Sequence, residues 1–232
     1  LASGSKDTDV IIWDLVAEVG LFKLRGHKDQ ITGLEFLEPS SPDIIGEDGE
    51  AMVQEGLNDS QGFLLTTGKD SLIKLWDVAS RHCIETHVTQ TNGECWSLGV
   101  SPDGSGCITA GNDGELEVWF IDTSSLLKHT ELEGTAETRY LHNRGVLHRQ
   151  VKDRALEIKF HPVQDYFAVH GSEKGLELWR IRSEDEVKKS LARKRKRRRE
   201  KQAASGEKVE VSYISHHKIS SADEWRPLMK LL

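Results

Sequence analysis

Long apolar runs are missing from this chain. The longest, such as Val10 to Trp13, are four residues, far below the roughly 20 that a membrane-spanning helix requires. No membrane partner is expected. Cysteine is scarce: Cys83, Cys95 and Cys107 are three in number, well separated and without a C-x-x-C pair, which points to a reducing, intracellular compartment. Cys95 and Cys107 lie among apolar strand residues and are expected as small core side chains rather than reactive thiols. Catalytic signatures are also missing. There is no Gly-rich phosphate loop, nucleophile elbow or H-E-x-x-H, so an enzyme is not expected, nor a small-molecule substrate or cofactor. His216 and His217 lack the spaced Cys or carboxylate partners that a metal site demands, and are expected as surface histidines. Leu1 to Ser5 show neither an initiator Met nor the basic-then-apolar order of a signal peptide. The chain starts inside a strand pattern and is expected to be part of a longer protein.

What the sequence does have is tryptophan in register. Four lines recur in which an acid precedes a Trp by six residues: Asp7 and Trp13, Asp70 and Trp76, Asp113 and Trp119, Glu173 and Trp179. A short apolar run stands before each acid. Polar and apolar residues alternate after it, as in Ser71 to Trp76, which reads as strand, tight turn, strand. Successive Trp residues are 63, 43 and 60 positions apart. The middle spacing fits the roughly 40–45-residue period of a four-stranded propeller blade. The two longer ones imply insertions, placed near 38–62, where seven acids occur without Lys or Arg, and near 123–150, which has no clear strand pattern. Asp103 and Asp113 sit in turn signals, Ser101 to Gly104 and Asn112 to Gly114, whose backbone geometry already accounts for them.

These residues resemble the WD40 family. Gly26 and His27, an apolar strand from Ile31, then Thr66, Asp70, Trp76 and Asp77 give one full copy of its pattern. The resemblance implies that His27, Thr66, Asp70 and Trp76 form a hydrogen-bonded tetrad joining the strands of one blade. Trp13 and Asp14 close an earlier copy. Other copies are degenerate: Thr91 stands where His is usual, Phe120 follows Trp119 where Asp is usual, and the last copy has His170, Glu173 and Arg180 at the Ser, Asp and terminal Asp positions. Those blades are expected to be held mainly by apolar packing. The fold class is thus all-β, a partial WD40-type β-propeller of about four to five blades over residues 1–182. A closed seven-bladed ring would need about 300 residues at this period.

Charge divides the chain sharply. Residues 188–201 carry ten Lys or Arg against Glu200, a local charge of +9 that leaves −16 on the rest. Ser183 and Glu186 form a capping box ahead of this run, and Glu184 and Asp185 put negative charge on the first helical turn. A basic helix or linker is expected over 183–204, beginning at Glu184. It has almost no apolar stripe with which to dock on a core. Its unbroken block, Lys194, Arg195, Lys196, Arg197, Arg198 and Arg199, suits nuclear localisation or contact with RNA phosphates, against the plainer reading of a soluble tether. No aromatic is interleaved, so base stacking by this block is not expected. Beyond it, Val209 to Ile214 alternates like a strand and Ser221 to Glu224 resembles a second capping box. Region 205–232 either returns a strand to the ring or begins a following element.

The order of features, from Gly4–Asp14 through Gly26–Thr32 to a last blade with His170, Gly171 and Leu176 to Leu178 followed at once by Glu186 to Lys189 and the basic run, resembles the tandem-propeller WD-repeat subunits of the UtpB subcomplex of the small-subunit processome. That resemblance covers roughly residues 1–200. It implies a non-catalytic scaffold in the nucleolus, acting in 18S rRNA maturation. The partners it implies are other WD-repeat and helical processome subunits and the U3 small nucleolar RNA/pre-rRNA particle. The alternative is a nuclear WD-repeat receptor for protein partners in a ubiquitin-ligase or chromatin complex.

Overall fold

In a computed structural model, residues 1–37, 62–89, 93–128, 138–173, 175–205 and 229–231 are described. Four antiparallel sheets follow one another along the chain. The first has three strands, β1 (Ala2–Gly4), β2 (Val10–Asp14) and β3 (Val19–Leu24). The second runs β4 (Ile31–Leu37), β5 (Phe63–Gly68), β6 (Leu72–Asp77) and β7 (His82–Val88). The third runs β8 (Cys95–Val100), β9 (Gly106–Gly111), β10 (Glu115–Ile121) and β11 (Leu141–His148). In the fourth, β12 (Ala155–Phe160), β13 (Tyr166–Gly171) and β14 (Leu176–Ile181) are joined by β15 (Met229–Leu231). A short helix, α1 (Thr123–Leu127), follows β10, and a long one, α2 (Glu184–Ser205), leaves β14. Consecutive sheets of three or four up-and-down strands packed face to face make a partial β-propeller, as the repeat pattern predicts.

The apolar alternation explains how the blades stack. On β6, Trp76 faces back to Val10, Ile12 and Leu24 of the first sheet. Ile73 and Leu75 face forward to Leu98, Cys107 and Trp119 of the third. Ile108, Leu116 and Val118 then meet Ile158, Phe167 and Trp179 of the fourth. Each middle sheet is buried on both sides, so β5 and β6 are almost continuously buried, whereas the outer strands β3 and β7 are half exposed. A buried Leu, Ile or Phe contributes roughly 1.5–3 kcal/mol, so these interfaces dominate the stability of the stack. The inner strands approach closely enough to require glycine. A Cβ at Gly33 would stand 2.6 Å from the Leu98 Cβ of the next blade.

The two end faces differ from the interior. Val19 and Leu21 on the first sheet, and Leu156, Leu176 and Leu178 on the fourth, are exposed. These are the surfaces that a stacked neighbour covers in a repeat architecture.

One sequence expectation changes, and the alternatives for region 205–232 narrow. The stretch 123–150, read as an insertion without strands, contains α1 and the whole of β11, the outer strand of the third blade. A bulge hides it: β11 skips Arg144 where Val118 pairs with Gly145 and Trp119 with Asn143, which breaks the period-two pattern. In region 205–232, β15 pairs Met229 with Ile181 and Leu231 with Trp179, so a strand returns to the ring. The acidic 38–61 stretch, Thr91, the Val209–Ile214 strand, the Ser221 capping box and His216 and His217 lie outside the described residues.

Candidate functional site

The structure brings His27, Thr66, Asp70 and Trp76 together. His27 precedes β4, Thr66 lies on β5, Asp70 in the β5–β6 turn and Trp76 on β6. The Trp76 indole N–H donates to Thr66 Oγ1 at 2.8 Å, and His27 Nε2 lies 2.7 Å from the same oxygen. His27 Nδ1 meets Asp70 Oδ2 at 2.9 Å, while Asp70 also accepts the Lys28 and Leu72 amides. The donors fix one arrangement: the indole donates to Thr66, the Thr66 hydroxyl to a neutral imidazole, and the imidazole Nδ1–H to Asp70. Burial pushes the His27 pKa below its ordinary value, against the opposing pull of Asp70. Asp, His and hydroxyl in series have the connectivity of a nucleophilic relay. Thr66 is fully buried and already bonded to an indole, so no substrate reaches it and the series is structural.

Parts of this network recur at fixed spacing. Trp13 donates to Ser3 and Trp119 to Thr109, each across ten residues, as Trp76 does to Thr66. In the fourth blade the hydroxyl position is Val169, and the Trp179 indole nitrogen has no hydrogen-bond partner among the described residues. Stacking replaces it: Phe167 lies 5.9 Å from Trp179 at an interplanar angle of 9°. The acids close turns. Asp7, Asp70 and Asp113 each accept the amide two residues on, and the next residue, Thr8, Ser71 or Gly114, has positive φ (72°, 62° and 68°). Asp14 and Asp77 close the following hairpin in the same way. Glu173 does not act like those acids; its own amide donates to Asp153.

The basic helix is anchored at its root. Arg180, at the position where the first two blades have Asp14 and Asp77, bonds Glu186 Oε1 at 2.9 Å. Half of the expected capping box is present: the Glu186 amide donates to Ser183 Oγ at 3.4 Å, but the Glu186 carboxylate turns to Arg180 rather than back to the cap. From there α2 runs 22 residues, about 33 Å at 1.5 Å per residue. Lys194 to Arg199 are all exposed, and a 3.9 Å pair links Lys196 to Glu200. Six consecutive helical positions sweep more than one turn, so the charge encircles the helix instead of forming a stripe.

Comparison with known proteins agrees with this geometry. The model of the WD domain, G-beta repeat, matches residues 80–119, a span from the outer strand of the second blade through three strands of the third. That match identifies a WD repeat within the chain. The chain is 36% identical over 225 residues to U3 small nucleolar RNA-associated protein 12 of Saccharomyces cerevisiae, an alignment covering 87% of the chain and 23% of that relative. It is also 28% identical over 162 residues to nuclear distribution protein nudF of Aspergillus niger, covering 56% of the chain and 35% of the relative. The match to nudF of Emericella nidulans is 26% over 153 residues, 53% of the chain and 34% of the relative. The chain therefore spans only 23–35% of the length of these relatives.

Three features of this WD-repeat chain escaped the sequence reading. The first lies in the fourth blade, which is held by a buried ion network in addition to packing. Arg149 bonds Glu177 at 2.8 Å through Nε, and Asp153 at 3.0 Å through Nη2, with its side chain 2% exposed. The second is a latch between blades. Glu85 on β7 accepts the Tyr140 and Leu141 amides at the start of β11, at 3.0 and 2.9 Å. Burial alone would raise its carboxyl, yet the donors from His87, Leu141 and Tyr140 together hold it below its ordinary value. The third is Arg144, the residue skipped at the β10–β11 bulge, where the preceding two blades skip Leu21 and Ile84. Cys95 and Cys107 are buried, and burial pushes the Cys95 thiol up to about 12 and Cys107 upward as well. Both are protonated core groups; Cys83 is exposed.

Proposed function

We propose that this chain is a non-catalytic scaffold portion of a WD-repeat protein of the small-subunit processome, acting in the nucleolus in 18S rRNA maturation. The observation that carries the reading is the 36% identity, sustained over 87% of the chain, to a protein named for its association with U3 small nucleolar RNA. The nuclear distribution proteins match only about half of the chain and at lower identity. The long exposed basic helix supports the same reading, because six adjacent cations suit a nuclear import signal or RNA phosphates. In this role the blades present surfaces to other WD-repeat and helical subunits and to the U3 and pre-rRNA particle. The burial of Thr66 supports a folding role for the polar groups inside them.

Depleting the protein from cells is expected to accumulate unprocessed precursor of 18S rRNA; normal processing would reject the reading. Replacing Lys194 to Arg199 by Ala is expected to reduce nucleolar retention by severalfold in a fluorescently tagged protein, on the scale of losing several phosphate contacts. Unchanged localisation would reduce the block to a tether.

A further inference from the structure

A groove of about 490 Å³ lies between the outer strands of the second and third blades, within the roughly 300–1,000 Å³ typical of ligand sites. It is far from the basic run in sequence and independent of it. His87 of β7 forms one wall; Phe120 of β10 and Arg139, His142, Asn143 and Arg144 form the other. In a chain whose charge outside residues 188–201 is −16, Arg139 and Arg144 place two cations in a groove whose lining, among the described residues, holds no carboxylate.

The wall is built to hold this composition. Gly145 takes φ +110°, and its amide is bound by Asn143 Oδ1 at 2.8 Å. That turn makes Arg144 the bulged residue and lays its guanidinium 4.9 Å from the centre of the Phe120 ring. The His142 ring is 6.2 Å from Phe120, and His87 is 5.7 Å from Trp119. Two nearby acids among the described residues are engaged in the fold. Glu85 binds the Tyr140 and Leu141 amides and lies 3.2 Å from His87 Nε2, and Asp122 binds Ser124 and Ser125 at the start of α1.

We propose that this groove binds a segment of single-stranded RNA, with a phosphate against Arg139 and Arg144 and a base against the Phe120 and His142 rings. Cations alone would suit an acidic peptide equally well. Ring faces, a guanidinium plane and an amide gathered with them are the set that stacks and reads unpaired bases. The inference rests on the groove and stands whether or not the protein belongs to the processome.

The test uses the full-length protein with Lys194 to Arg199 replaced by Gln, which removes the helix as a competing site, and fluorescein-labelled decauridylate as probe. Anisotropy is expected to show binding that Arg139→Gln with Arg144→Gln weakens by about tenfold, as loss of two phosphate contacts implies. Ultraviolet crosslinking is expected to attach uridine to the peptide carrying Phe120 or His142. If Arg144→Gln lowers the thermal midpoint, the exposed Arg139→Gln variant alone decides, with a loss of about threefold expected for one contact. Affinity unchanged in that variant would overturn the proposal. So would displacement of the RNA by an equal concentration of decaglutamate, which would make the groove an acidic-peptide site.

Discussion

Replacing Trp76 by Ala is expected to lower the opening free energy of the β5 and β6 amides by about 3–5 kcal/mol, the range for deleting a buried aromatic. Hydrogen exchange in the full-length protein reads this locally, without requiring the whole protein to unfold as one unit. Trp76 is 2% exposed and packs the second blade on the first, so amides of β2 should lose protection with it. Thr66→Val tests the polar part separately. It keeps the shape but strands the Trp76 indole and the His27 imidazole, each at about 1–3 kcal/mol. Thr109→Val strands Trp119 alone and should cost less. Equal effects of the two Val substitutions would show that His27 contributes nothing. The network also carries a pH signature. Because the folded state holds the His27 pKa below its ordinary value, the unfolded chain takes up the proton first as pH falls. The contribution is complete above about pH 6.5 and is lost as pH drops towards the folded pKa. His27→Asn should remove that window along with part of the stability.

The second large effect is expected at Arg149. Its side chain is almost completely buried between Glu177 and Asp153, so Arg149→Met leaves carboxylates in the blade without their cation. Breaking a buried pair from one side costs about 3–5 kcal/mol. Loss of protection should concentrate in β12 to β14, with the tetrad of the second blade untouched. Adding Glu177→Met to Arg149→Met should recover much of the loss, since an apolar replacement of a whole buried pair is often neutral or better. A double variant no more stable than Arg149→Met would mean that Arg149 acts by packing its stem rather than through charge.

Much of this architecture is written locally. The acid and Trp six residues apart, with a hydroxyl ten before the Trp, sit on one hairpin, so the β5–β6 unit and its relatives can be read from neighbouring residues. Other features depend on contacts between distant strands. Leu176, Glu177 and Leu178 alternate as if the leucines faced the core, yet Glu177 is 8% exposed while Leu176 and Leu178 are 63% and 47% exposed. Alternation tells that two faces differ, and only the adjacent blade tells which face is covered. Arg149 meets Glu177 across 28 residues, so the network has no local signature. The β11 strand was hidden by the Asn143, Arg144 and Gly145 bulge, the same irregularity that builds the rim groove. For α2 the opposite holds. Its start is set by Ser183 and by the acids after it, and its exposed basic turns follow from having no apolar stripe to bury.

If these blades serve as scaffold in a U3-containing particle, the endogenous full-length protein will sediment with U3 small nucleolar RNA in gradients of nuclear extract. Quantifying that RNA in the fractions that hold the protein is the most direct measurement. Co-migration in the large pre-ribosomal fractions, reversed when the particle is dissociated, is the result expected. Sedimentation of the protein in lighter fractions free of U3 RNA would contradict the assignment.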